Sequence, residues 1–156
     1  MEPITDNMQK YENYKEQMSR LKKAMINGFY LEAVFIEYAI MEDRLESVLR
    51  HSGKWKEPKP GQNPPSLQKK KNIITKMAEE KRSLARRYFS EELLNSIITW
   101  KEDRNRLTHT LMKQSFRTDG LKGFAEQGQA IVKELSNKVK SYNRAIDRMT
   151  TKGDKN

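Results

Sequence analysis

The stretch FYLEAVFIEYAIMEDRLESVL, Phe29 to Leu49, carries apolar side chains at helical spacing through Val34, Phe35, Ile36, Tyr38, Ala39, Ile40, Met41, Leu45 and Val48. Its first half is apolar nearly all round, which is the pattern of a helix covered on every side. Gly28 interrupts the pattern before it and Ser52-Gly53 ends it. The stretch therefore predicts the central, most buried helix of its fold.

Working outward, residues 5–26 open on a Thr5/Asp6 cap signal and carry Met8, Tyr11, Met18 and Met25 on one helical face. On the other side, residues 52–65 contain Pro58, Pro60, Gly61, Pro64 and Pro65, which cannot continue a helix because proline lacks the amide donor. Ser66 reads as the N-cap of a third helix reaching about Arg87, held by Leu67, Ile73, Ile74, Met77 and Leu84. Ser90, followed by Glu91 and Glu92, caps a fourth, where acidic groups favour the positive end of the helix dipole. Its apolar stripe runs Leu93, Ile97, Trp100, Arg104, Leu107, Leu111. A fifth helix follows Thr118-Asp119-Gly120 and runs to about Arg148. Strand alternation and internal repeats are absent from the sequence. The expectation is an all-α, up-and-down bundle of about five helices, one domain over 1–150, with a frayed polar tail at 151–156.

Composition narrows the function classes. The apolar fraction of 35% is low and the charged fraction of 33% is high, which suits long helices with wide polar faces. With no cysteine among 156 residues, disulfides, thiolate metal sites and a cysteine nucleophile are excluded. No run of apolar residues is long enough to span a bilayer, and the start Met1-Glu2-Pro3-Ile4-Thr5-Asp6 lacks the features of a signal peptide. A cytoplasmic protein without a membrane partner is expected. The net charge of +10 is uneven: residues 66–90 alone hold eight basic and two acidic side chains. Lys69, Lys70, Lys71, Arg86 and Arg87 belong to that run, an electrostatic footprint for an RNA backbone or a solvated helix face.

The fourth helix contains Arg104-Asn105-Arg106-Leu107-Thr108-His109. Arginine can grip a phosphate in a bidentate fashion and histidine moves protons near pH 7, so the pair suits phosphodiester cleavage without a metal or cofactor. At 100° per residue, Arg104 and His109 stand about 140° apart, flanking a sector that holds Leu94, Ile98, Lys101, Asn105, Thr108 and Met112. Asn105 and His109 are i, i+4 neighbours, so the amide could orient the imidazole. This is half a site. A two-fold partner would bring two arginines and two histidines into one cleft. Arg44 and His51 repeat the arginine–histidine pairing at a longer spacing, and His51 reads there as a helix C-terminal histidine favoured by the dipole.

The all-α bundle, the helix Ile36-Glu37-Tyr38-Ala39-Ile40-Met41-Glu42-Asp43-Arg44-Leu45 and the late Arg104-Asn105-x3-His109 together resemble the HEPN family, over roughly residues 29–150. The resemblance implies a metal-independent endoribonuclease acting as a homodimer, of toxin or antiviral abortive-infection type. It casts His109 as general acid and base, Arg104 as phosphate clamp with Asn105 beside it, and the RNA's own 2′-hydroxyl as nucleophile. Lys101 and Arg106 would add RNA contacts. A cognate antitoxin or regulatory protein is an expected partner, although the position two residues after the histidine, a tyrosine in toxins neutralised by nucleotidyl transfer, is Leu111 here.

Two other readings compete. A HEPN-like module that binds nucleotides, RNA or a partner protein without turnover predicts salt-sensitive affinity and no cleavage. A purely helical interaction protein predicts no nucleic-acid affinity at all.

Overall fold

The computed structural model describes residues 7–113 and 118–153. Its regular structure is helical throughout: α1 (Asn7–Asn27), α2 (Tyr30–His51), α3 (Leu67–Glu79), α4 (Leu84–Tyr88), α5 (Glu91–Thr110) and α6 (Thr118–Gly153). Gly28 makes the tight α1–α2 turn at φ 75°, a conformation that a side chain disfavours. The serine caps form as their sequence context predicts. Ser66 accepts from Lys69 N at 3.3 Å and Ser90 from Leu93 N at 3.1 Å. The Thr5/Asp6 cap signal lies outside the described residues.

The described residues form six helices where the pattern predicts about five. The continuous helix expected over 66–87 is broken after Glu79: Glu80 turns extended, Arg82 adopts φ 65°, and the Ser83 hydroxyl starts a new helix by accepting from Ala85 N at 3.2 Å. The tail also differs from expectation. α6 continues through Thr151 to Gly153, where the Thr150 and Thr151 hydroxyls bond back to the carbonyls of Ile146 and Asp147; residues 154–156 lie outside the described residues.

Side chains from all six helices meet in one buried cluster. α2 supplies its centre through Ala33, Val34, Ile40, Met41, Leu45, Val48 and Leu49, and α6 lies along it with Ala125, Val132, Leu135 and Val139. The pairs Glu37–Gly128 and Ser47–Asn143 both advance with residue number, so α2 and α6 run in the same direction. Strict alternation of six successive helices gives the second and the sixth the same sense.

α2 is not covered on every side. Leu31 and Phe35 remain 45% and 67% exposed, and Phe29 before them 60%. A further departure lies inside the core. Glu37 is fully buried, neither carboxyl oxygen has a hydrogen-bond partner, and a Cβ on Gly128 would overlap its carboxyl group and the Trp100 indole. Burial pushes this carboxyl up to about 9. Among the described residues, no helix is long and apolar enough to cross a membrane.

Candidate active site

α5 carries the arginine–histidine pair, and its inner stripe sets where each member stands. Leu93, Ile97 and Trp100 are buried, the Trp100 ring stacks on Phe124 with centroids 5.1 Å apart, and its Nε1 donates to the Phe124 carbonyl at 3.4 Å. One turn later on the same stripe comes Arg104. A charged head cannot follow Trp100 into the core, so it emerges at the edge of α2, half-buried. There the guanidinium lies over the ring of Tyr38, 4.3 Å from its centroid, and Nη1 donates to Asn105 Oδ1 at 3.1 Å. Burial and then the Glu42 carboxylate raise the Tyr38 phenol above its ordinary range, against the opposing pull of Arg104.

The amide of Asn105 thus braces the arginine, not the histidine. His109 stands exposed in the last turn of α5 and makes no hydrogen bond among the described residues. Among the described residues no Asn105–His109 hydrogen bond accompanies this contact. Thr108 and Thr110 hydroxyls bond to the carbonyls of Arg104 and Arg106, at 3.0 and 2.9 Å. Five residues of helix separate Arg104 from His109 by about 7.5 Å along the axis, with the angular offset noted above. Arg104 is thus turned toward α2, while His109 is exposed to solvent.

The basic residues divide. Lys101 is half-buried near the clamp, and Arg106, exposed, is paired with Asp103. Lys69 and Arg87 are exposed, while Lys71 and Arg86 line a cleft of about 420 Å³ with Thr75, Glu79, Ser90 and Glu91. Lys70 corrects the sequence reading. It is 3% exposed, pairs with Glu46 at 3.4 Å and sits 5.6 Å from the Trp55 ring centroid. A residue so enclosed cannot reach a phosphate backbone. Trp55 itself anchors the loop, with Arg50 over its ring at 4.8 Å.

Tyr38 is the site residue that the sequence reading missed, since it entered only as one of the apolar positions of α2. The available signal is its register: Leu31, Phe35, Tyr38 and Glu42 fall in one sector of about 60°, and Leu31 and Phe35 are the exposed apolar side chains. Arg104, over the Tyr38 ring, therefore borders an uncovered apolar stripe. Leu111 and Met112, 38% and 94% exposed, follow the histidine at the end of α5. Among the described residues, no group of three or more His, Asp or Glu side chains is placed to hold a metal ion.

Searches of protein-family models, curated proteins and solved structures return no match to this chain.

Proposed function

We propose that the chain is a metal-independent endoribonuclease of HEPN type, acting as a two-fold homodimer whose cleft is built around Arg104 and His109. The observation that carries this reading is the bracing of Arg104 between Tyr38 and Asn105, with His109 left exposed in the last turn of the same helix. A braced guanidinium keeps N–H groups for a phosphate and meets the charge that develops on it without reorganising. An unbound imidazole can take the proton of a 2′-hydroxyl and return one to the leaving 5′-oxygen. DNA lacks that hydroxyl and would not be cut.

The uncovered stripe of α2 supports the two-chain cleft. Leu31 and Phe35 beside the clamp give a second copy an apolar surface to bury, which would bring its own Arg104 and His109 to the same place. Lys101, Arg106, Lys69, Lys71, Arg86 and Arg87 serve as phosphate contacts, without Lys70. A cytoplasmic setting and control by an antitoxin or other regulatory protein belong to the same reading.

The test is incubation of the purified chain with mixed single-stranded RNA in EDTA. Fragments ending in 2′,3′-cyclic phosphate are expected. Salt-sensitive RNA binding with no cleavage would instead favour the non-catalytic HEPN-like module, a reading to which the unoriented His109 ring lends weight.

A further inference from the structure

α2 ends at His51, about 20 Å along its axis from Tyr38. Beyond that end, the proline-rich loop and the first turns of α3 enclose a cleft of about 690 Å³, well away from Arg104. The loop is tied down. The Lys54 and Trp55 amides both donate to the Leu49 carbonyl, at 2.9 and 3.0 Å, and Arg50 Nη1 donates to Glu57 at 2.6 Å. Further on, the Gln62 amide donates to the Lys59 carbonyl at 2.9 Å across a turn in which Gly61 takes φ 82°. Pro58, Pro60, Pro64 and Pro65 restrict the rest of the backbone. A ligand therefore meets a surface that is already shaped.

Its charge is one-sided. Lys54, Lys56, Lys59 and Lys69 line it, all exposed, and among the described residues no carboxylate is ion-paired with them. Glu57 is the acidic member of the lining, and it is committed to Arg50, whose guanidinium holds the carboxyl below its ordinary range. Arg50 and Lys70 together balance Glu46 and Glu57. The four lysines are left uncompensated.

The rest of the lining is apolar: Trp55, Pro58, Pro65 and Ile73 are half-buried, and Leu49 is fully buried. Charge complementarity calls for an anion, and the apolar lining calls for apolar groups on the same ligand. A nucleic acid fits less well. No arginine lines the cleft to take a phosphate in a bidentate grip. Its aromatic ring, Trp55, already carries Arg50 and Lys70 at 4.8 and 5.6 Å from the centroid, which leaves it poorly placed to stack a base. Separate ammonium groups on flexible stems act as point charges, and these suit carboxylates spaced along a peptide.

We infer that the cleft between the 54–65 loop and α3 docks an acidic segment of a partner protein, its carboxylates on the four lysines and its apolar side chains against Trp55, Pro65 and Ile73. This goes beyond the nuclease reading and stands without it. The full chain is titrated by fluorescence anisotropy with a labelled glutamate-rich peptide carrying a central pair of leucines. Binding is expected with a Kd of about 100 μM or tighter. Combining Lys54→Glu, Lys56→Glu and Lys59→Glu should weaken it by about tenfold or more, while RNA cleavage in EDTA is unchanged. The same change of net charge on α6, through Lys133→Glu, Lys138→Glu and Lys140→Glu, should leave peptide binding within about twofold. All six lysines are exposed, so both variants should keep their helical circular dichroism. Replacing the peptide's leucines with serines should cost about fivefold or more. Absence of binding up to about 1 mM would overturn the inference. So would equal losses in the two triple variants, or affinity indifferent to the leucines. An oligouridylate of the same net charge that bound more tightly than the peptide, and lost its affinity in the loop variant, would overturn it by giving the cleft to nucleic acid.

Discussion

The guanidinium of Arg104 rests on the ring of Tyr38, 4.3 Å from its centroid, so a residue of α2 fixes the direction in which the cation of α5 can act. A cation–π contact at a partly exposed site contributes about 0.5–1 kcal/mol. Tyr38→Ala should accordingly lower kcat/KM for RNA by about two- to fivefold, while Tyr38→Phe, which keeps the ring, should stay near wild type. Equal losses in both variants would place the role in the phenol and not in the stack.

Phe35, 67% exposed in the same sector of α2 as Tyr38, gives the proposed dimer its test. Phe35→Asp puts a charge into the middle of the apolar stripe, and charged groups are depleted from interface cores. Sedimentation should show a concentration-dependent dimer in the wild type and a monomer in the variant, with cleavage lost alongside and the helical circular dichroism unchanged. A variant that still dimerises moves the interface elsewhere.

Glu37 links stability to pH. Its folded-state value of about 9 lies above its ordinary value of 4.5, so between those limits the folded chain holds a proton that the unfolded chain has released. Stability then falls as pH rises, on the order of 1 kcal/mol per pH unit from this group, and the penalty disappears below pH 4.5. Glu37→Gln, neutral and nearly the same size, should raise the melting temperature at pH 8 with a gain that shrinks toward pH 5. A gain independent of pH would show that Glu37 is not held protonated.

Gly128 permits that burial, and the space is filled. Because a Cβ there would lie 2.8 Å from the Trp100 ring and overlap the Glu37 carboxyl, Gly128→Ala should cost about 1–3 kcal/mol in denaturant unfolding. A neutral outcome would mean that the α2–α6 contact yields more easily than a packed core does.

Lys69 and Lys70 should part company. Lys69→Ala should weaken RNA binding and reduce the salt slope by about one ion. Lys70→Met should leave RNA affinity unchanged and act on stability, because its ammonium is committed to Glu46.

Those neighbours in sequence also show how far the amino-acid pattern reaches. Helices, serine caps and the inner stripe of α5 were legible because each depends on residues within a few positions. The Glu80–Ser83 break was not, since Arg82 at φ 65° has no glycine to signal it. Lys70 read as solvated because the partners that hold it, Glu46 and Trp55, are distant in sequence. At the site, the arginine–histidine pair was visible along one helix. Tyr38 was not, because its contact to Arg104 is made between helices. Exposure of Phe35 ran against an all-round apolar pattern because the pattern reports which side chains are apolar, not which of them are covered.

His109 bears the central claim, and its exposure means that replacing it should leave the fold intact. The decisive measurement is the rate of single-stranded RNA cleavage in EDTA by wild type and His109→Ala, with the product ends identified. The account predicts 2′,3′-cyclic phosphate ends from the wild type and a loss of about a hundredfold or more in the variant at unchanged helical content. Cleavage by His109→Ala at the wild-type rate would contradict it.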